Sequence, residues 1–182
     1  YVAAEKLAEN NVKKAYVIGE KGLIDELDKK DIEVSQDAEV VVAGFDRQFN
    51  YEKLRKAMNI VKDGGKLYLC STESTFRKSS GIQPHQEPFN KALREFADEV
   101  ELVGKSSKAF RKSFKDYFTY IPTSSMFIGD RIEDIETGNR LGMRTGAVMS
   151  GDLTREVLAK VDEKQEPDVG LSNLNRLKRN LI

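Results

Sequence analysis

Cysteine and histidine each occur once in this 182-residue chain, as Cys70 and His85, and tryptophan is absent. One cysteine closes no internal disulfide and one histidine builds no His-based zinc site, which leaves carboxylates as the metal ligands to look for. This cysteine usage fits a reducing, cytoplasmic compartment. An excess of charge is also missing, since 30 Lys+Arg stand against 30 Asp+Glu. Without a basic surplus nothing draws the chain to nucleic acid or an anionic membrane, so neither is expected as a partner. No apolar run approaches the ~20 residues of a membrane span, and no charged-then-apolar signal segment opens the chain. The chain begins at Tyr1 in sequence that reads as the middle of a domain, so a truncated N-terminus is expected.

Short β-branched runs alternate with longer segments of helical period, the pattern of an α/β fold with a mainly parallel sheet. Helices are expected over 1–10, 22–30, 50–62, 88–98, 106–118, 132–141 and 152–160, with strands at 14–19, 38–45, 66–70, 101–104, 125–129 and 144–149. Gly64-Gly65 and Gly142 are natural helix stops. Residues 71–84 read as a long polar loop, and the C-terminal stretch as a short strand with a closing amphipathic helix. A domain boundary is placed near residue 100, dividing 1–100 from 101–182.

The densest chemical signal is MFIGDRIEDIETG at 126–138, where an apolar strand runs through Gly129 into Asp130, with Asp134 four residues on. Side chains at C-terminal strand ends of open α/β sheets face the ligand crevice, and two carboxylates there suit Mg²⁺. The same two acids also fit a plain role, favouring the macrodipole at a helix N-terminus. Upstream, GKSS puts Lys105 after a strand, with Ser106 or Ser107 as helix N-cap. A lysine so placed can neutralise developing phosphoryl charge, although alone it reads as a solvated side chain. The loop at 71–88 is long enough to bind substrate or to be disordered. His85 has no acid partner at recognisable spacing and reads as a surface or loop histidine, while Cys70 at a strand end reads as core.

Together these residues resemble the haloacid-dehalogenase (HAD) superfamily: Lys105 in GKSS is similar to its third motif, and Asp130 with Asp134 in GDRIEDI to its fourth. AYVIGEKGLIDEL at 15–27 and VVVAGFDRQFNYEKLRKA at 40–57 look like the cap of the class IIA branch, the p-nitrophenylphosphatase/NagD-like phosphatases. The second stretch matches that branch's G-x-D-x-x-F-x-Y-x-K-L pattern at Gly44, Asp46, Phe49, Tyr51, Lys53 and Leu54. The resemblance implies a large α/β cap followed by the C-terminal half of a Rossmann-like core. There are departures. The usual cap loop T-N-x-D-x-T-F-P is here CSTESTFR, a P-G-x-G segment is Pro84-His85-Gln86-Glu87, and no D-x-D stands in the 182 residues.

What the resemblance implies is a Mg²⁺-dependent phosphatase of small phosphoesters working through an aspartyl-phosphate, with the nucleophile outside this chain. Lys105 would act in catalysis, Asp130 and Asp134 at the metal, and Ser71, Thr72, Glu73 and Arg131 at the substrate. A homodimer through the cap is a further expectation. The chain alone would then be nearly inert, since removing the nucleophile from a cooperating site costs on the order of 10⁶ in rate. The alternative is a non-catalytic, degenerate binding module.

Overall fold

The computed structural model describes residues 1–176, which fall into two compact units divided between Gly104 and Lys105. In the first, α1 (Val2–Glu9), β1 (Lys14–Ile18), α2 (Lys21–Asp28), β2 (Glu33–Val34), β3 (Val40–Ala43), α3 (Tyr51–Lys62) and β4 (Lys66–Leu69) follow in order. A hairpin of β5 (Thr75–Lys78) and β6 (Gly81–Pro84), α4 (Glu87–Arg94) and β7 (Val100–Leu102) complete it. The sheet is parallel throughout, in the order β2-β1-β3-β4-β7.

Local chemistry explains the elements. VVVA at 40–43 is a nearly continuous buried run, as a strand covered on both faces requires. Asn50 caps α3 by accepting from the Lys53 amide at 3.0 Å. The helix ends where Gly64 takes φ +91° and the Gly65 amide returns to the Ile60 carbonyl, a close approach that a Cβ on Gly65 would block at 2.6 Å. Tyr16, Ile18, Val41, Ile60, Val61, Leu67, Leu69 and Leu93 form the core between sheet and helices.

Two expectations change here. The strand expected to open the second part, β7, belongs to the first sheet beside β4, where Glu101 lies 2.8 Å from Lys66 and 3.2 Å from Lys6. Burial pushes the Glu101 carboxyl up, but the hydrogen bonds from the two lysines outweigh it and hold the group below its usual range. The supposed loop at 71–84 is in part the β5–β6 hairpin, antiparallel, with Lys78 facing Gly81. Its polarity hid it, because neither strand buries a full side.

The second unit holds α5 (Lys108–Tyr117), β8 (Met126–Gly129), α6 (Ile132–Arg140), β9 (Arg144–Val148), α7 (Arg155–Leu158) and β10 (Val169–Leu171). Its three strands run parallel in the order β10-β9-β8. Ile135, Ala147 and Leu153 form its buried centre. The helix expected at 152–160 shrinks to the single turn of α7, capped by Thr154. After β10 a 3₁₀ turn spans Leu174–Arg176, and the remainder of the expected closing helix lies outside the described residues. Among the described residues no helix is long and apolar enough to cross a membrane.

Candidate active site

The C-terminal end of β8 gathers four of the residues singled out from the sequence. Lys105 Nζ lies 3.0 Å from Asp134 Oδ1, with the lysine side chain 48% exposed and the aspartate only 6%. The lysine is aimed by its turn. Ser106 sits in the left-handed region at φ +64°, its amide donating to Thr137 Oγ1 at 2.9 Å and its carbonyl accepting from Arg111. Ser107, rather than Ser106, then caps α5, accepting from the Phe110 amide at 2.9 Å.

Asp134 stands in the first turn of α6, the helix-dipole position, yet its carboxylate folds back over the strand end. A Cβ on Gly129 would fall 2.3 Å from its Oδ2, so only glycine leaves it room. Asp130 follows Gly129 directly, and the Leu153 amide donates to its carbonyl at 3.0 Å. Gly151 clears the space around the Asp130 side chain, since a Cβ there would lie 2.1 Å from Oδ2. Arg131 Nη2 is 2.9 Å from Asp152 Oδ2, which fixes the guanidinium beside this turn.

The other three expected site residues belong to the first unit, between β4 and β5. Ser71 Oγ accepts from the Glu73 amide at 3.1 Å, and Asn90 Nδ2 donates to the Ser71 carbonyl at 2.7 Å, with Thr72 between them. The Glu73 carbonyl accepts from the Glu87 amide at 2.8 Å. His85 lies in the connection between β6 and α4, as a loop histidine, but it has an acid neighbour that spacing did not show: its Nε2 lies 3.5 Å from Glu73 Oε2 and its side chain is only 18% exposed. The ring stacks on Phe45, centroids 4.7 Å apart, and meets Phe76 edge-on. The missed signal was the KSSG turn at 78–81, which folds the hairpin and returns residue 85 to the neighbourhood of residue 73.

Cys70 is half-buried just after β4, with burial of its thiol pushing it up to about 12. The motif at 44–54 proves to be structural in its details. Asp46, 3% exposed, accepts from the Gln48 amide at 2.8 Å and from Lys53 Nζ at 2.5 Å, while Phe49 packs on Phe89.

Residues 102–177 match the HAD-hydrolase-like family model. The chain is 26% identical over 189 residues to the chloroplastic phosphoglycolate phosphatase 1A of Arabidopsis thaliana, covering 90% of this chain and 52% of the plant protein. To the ribonucleotide monophosphatase NagD of Escherichia coli it is 26% identical over 151 residues, 81% of this chain and 59% of that protein. The structure of a p-nitrophenyl phosphatase from Archaeoglobus fulgidus superposes with a TM-score of 0.83 at 28% identity, covering all of this chain and 72% of that one. The chain thus spans about half the length of the curated relatives it matches.

Proposed function

The chain is haloacid-dehalogenase-like, with class IIA p-nitrophenylphosphatases and NagD as its structural neighbours, and on that premise we propose that it forms the cap and the later core of a Mg²⁺-dependent phosphatase of small phosphoesters. The observation that carries the reading is the Lys105–Asp134 contact at the β8 end, one residue from Asp130. A fixed ammonium at a strand end stabilises the charge that develops on a transferring phosphoryl group, an effect worth ~10²–10³ in rate. Asp134 holds that ammonium in place, and the Ser106 turn sets its direction.

The donor set fits Mg²⁺ in kind, two carboxylates with glycine-cleared space around each. It is incomplete in number, because among the described residues no group of three or more His, Cys, Asp or Glu is placed to hold a metal. Asp130 would ligate the ion with Asp134 beside it, and the remaining ligands and the nucleophilic carboxylate would come from a segment outside these residues. Bound there, Mg²⁺ would offset the negative charge of nucleophile and phosphate. Glu73, braced by Ser71 and His85, would meet the leaving group and so govern which phosphoester is preferred.

One observation favours the second reading, a non-catalytic binding module. Gln86 and Glu87, where the family has its glycine-rich cradle, are knitted into the unit: Gln86 donates to Asn90 Oδ1 at 2.9 Å and Glu87 pairs with Arg94 at 2.5 Å. The two readings separate in a protein that joins an Asp-x-Asp-bearing segment to this chain. The phosphatase reading expects Mg²⁺-dependent phosphate release from a panel of small phosphoesters. A folded, Mg²⁺-binding protein that releases none would leave the binding module.

A further inference from the structure

The strand order β2-β1-β3-β4-β7 contains a reversal: from β1 the chain moves outward to β2, then crosses to β3 on the other side. Flanking connections diverge to opposite faces at such a point, which opens a crevice beyond the carboxyl ends of the two strands, and ligands of open α/β sheets bind there. In the first unit that crevice is real. A cavity of about 390 Å³ is lined by Gly19 and Glu20 after β1, by Lys21, which pairs with Asp25, at the start of α2, by Asp46, Arg47 and Gln48 after β3, and by Lys53 from α3. Its volume lies within the ~300–1,000 Å³ usual for small-molecule sites.

The charged groups around it are not equivalent. Asp46 is buried and held by Lys53, so that pair belongs to the framework. Glu20 and Arg47 are side by side on the open side, 39% and 65% exposed, and Arg47 grips the carboxylate with both prongs of its fork: Nε to Oε1 at 2.6 Å and Nη2 to Oε2 at 3.0 Å. Glu20 occupies the N-cap position of α2 but makes no side-chain capping bond, its carboxylate being turned to the arginine instead. This is the geometry in which arginine recognises any carboxylate. An ion pair this exposed is weakly held, so Glu20 can be displaced from the fork by a carboxylate that gains further contacts in the crevice.

We propose that the crevice is a carboxylate site of the first unit, in which the carboxylate of a small hydroxy acid takes the fork of Arg47 and the Glu20 side chain is its built-in competitor. The acid's hydroxyls would face the polar wall at Gln48. The crevice belongs to the first unit and the Lys105–Asp134 pair to the second, and binding in the crevice needs no catalysis to be observed.

The test is calorimetric titration of the 182-residue chain with glycerate, with inorganic phosphate as an oxyanion of different shape. The proposal expects glycerate to bind in the millimolar range, more tightly than phosphate, and Glu20→Gln to tighten it by about tenfold as the competitor's charge is removed. Arg47→Lys, which keeps the charge but loses the fork, should weaken binding by a similar factor, and Arg47→Ala should abolish it. Lys105→Ala should leave the affinity unchanged, which keeps the result separate from the phosphatase reading. Glycerate that fails to bind, binds Glu20→Gln no more tightly than the parent, binds Arg47→Ala as well as the parent, or needs Lys105 overturns the proposal.

Discussion

The ammonium of Lys105 lies 3.0 Å from Asp134 Oδ1, joining the turn before α5 to the first turn of α6 across the end of β8. That contact depends on a missing side chain. A methyl on Gly129 would come within 2.2 Å of Asp134 Cβ and 2.3 Å of its Oδ2, so Gly129→Ala must displace the aspartate. Overpacking of this kind costs ~1–3 kcal/mol. Urea unfolding followed on the second unit should show a loss in that range, while Gly22→Ala in α2, whose added Cβ meets nothing, should cause no loss, since alanine is the better helix former.

Asp46 and Lys53 should respond unequally to substitution. Asp46 is 3% exposed and Lys53 29%, so removing the lysine strands a buried carboxylate, whereas removing the acid leaves an ammonium that can reach water. Lys53→Met is expected to cost about 3 kcal/mol, the scale of breaking a buried pair, and Asp46→Asn clearly less because the Gln48 amide keeps an acceptor. Equilibrium denaturation of the two variants checks the order, and equal losses would show that burial of Asp46 does not decide the matter.

Cys70 should be inert in the folded chain. Its thiol is pushed up to about 12 by burial, against 9.0 for the free side chain, so at about pH 8 almost none is thiolate, the form that reacts. Iodoacetamide is expected to label it only after denaturation. The raised value also has a sign for stability: the contribution is full below pH 9.0 and is lost as pH rises towards 12, because the unfolded chain releases the proton first. A melting temperature that holds steady across that window would contradict it.

The α/β class, the strand at Met126–Gly129 and the helix that follows were legible because apolar period and glycine stops act locally. Asp134 shows the limit. Its place in a first helical turn is written in the sequence, but its choice of Lys105 over solvent depends on Gly129 and on a left-handed Ser106, neither of which spacing reveals. The Glu73–His85 contact escaped for a related reason: twelve positions apart, the two meet only because a polar hairpin folds between them. Likewise β7 was set in the wrong neighbourhood because its pairing with β4 and the Lys6 and Lys66 contacts to Glu101 are long-range.

The measurement that bears most directly on the phosphatase account is turnover in a protein joining an Asp-x-Asp-bearing segment to this chain. Lys105→Ala and Asp130→Asn should each lower Mg²⁺-dependent phosphate release by at least ~10²-fold, the scale of removing one charge-stabilising group. Glu73→Ala should instead change the ranking of phosphoesters while keeping the rate on the best of them. Release that is insensitive to Lys105→Ala and Asp130→Asn would place the chemistry elsewhere and contradict the assignment of the β8 end as the active site.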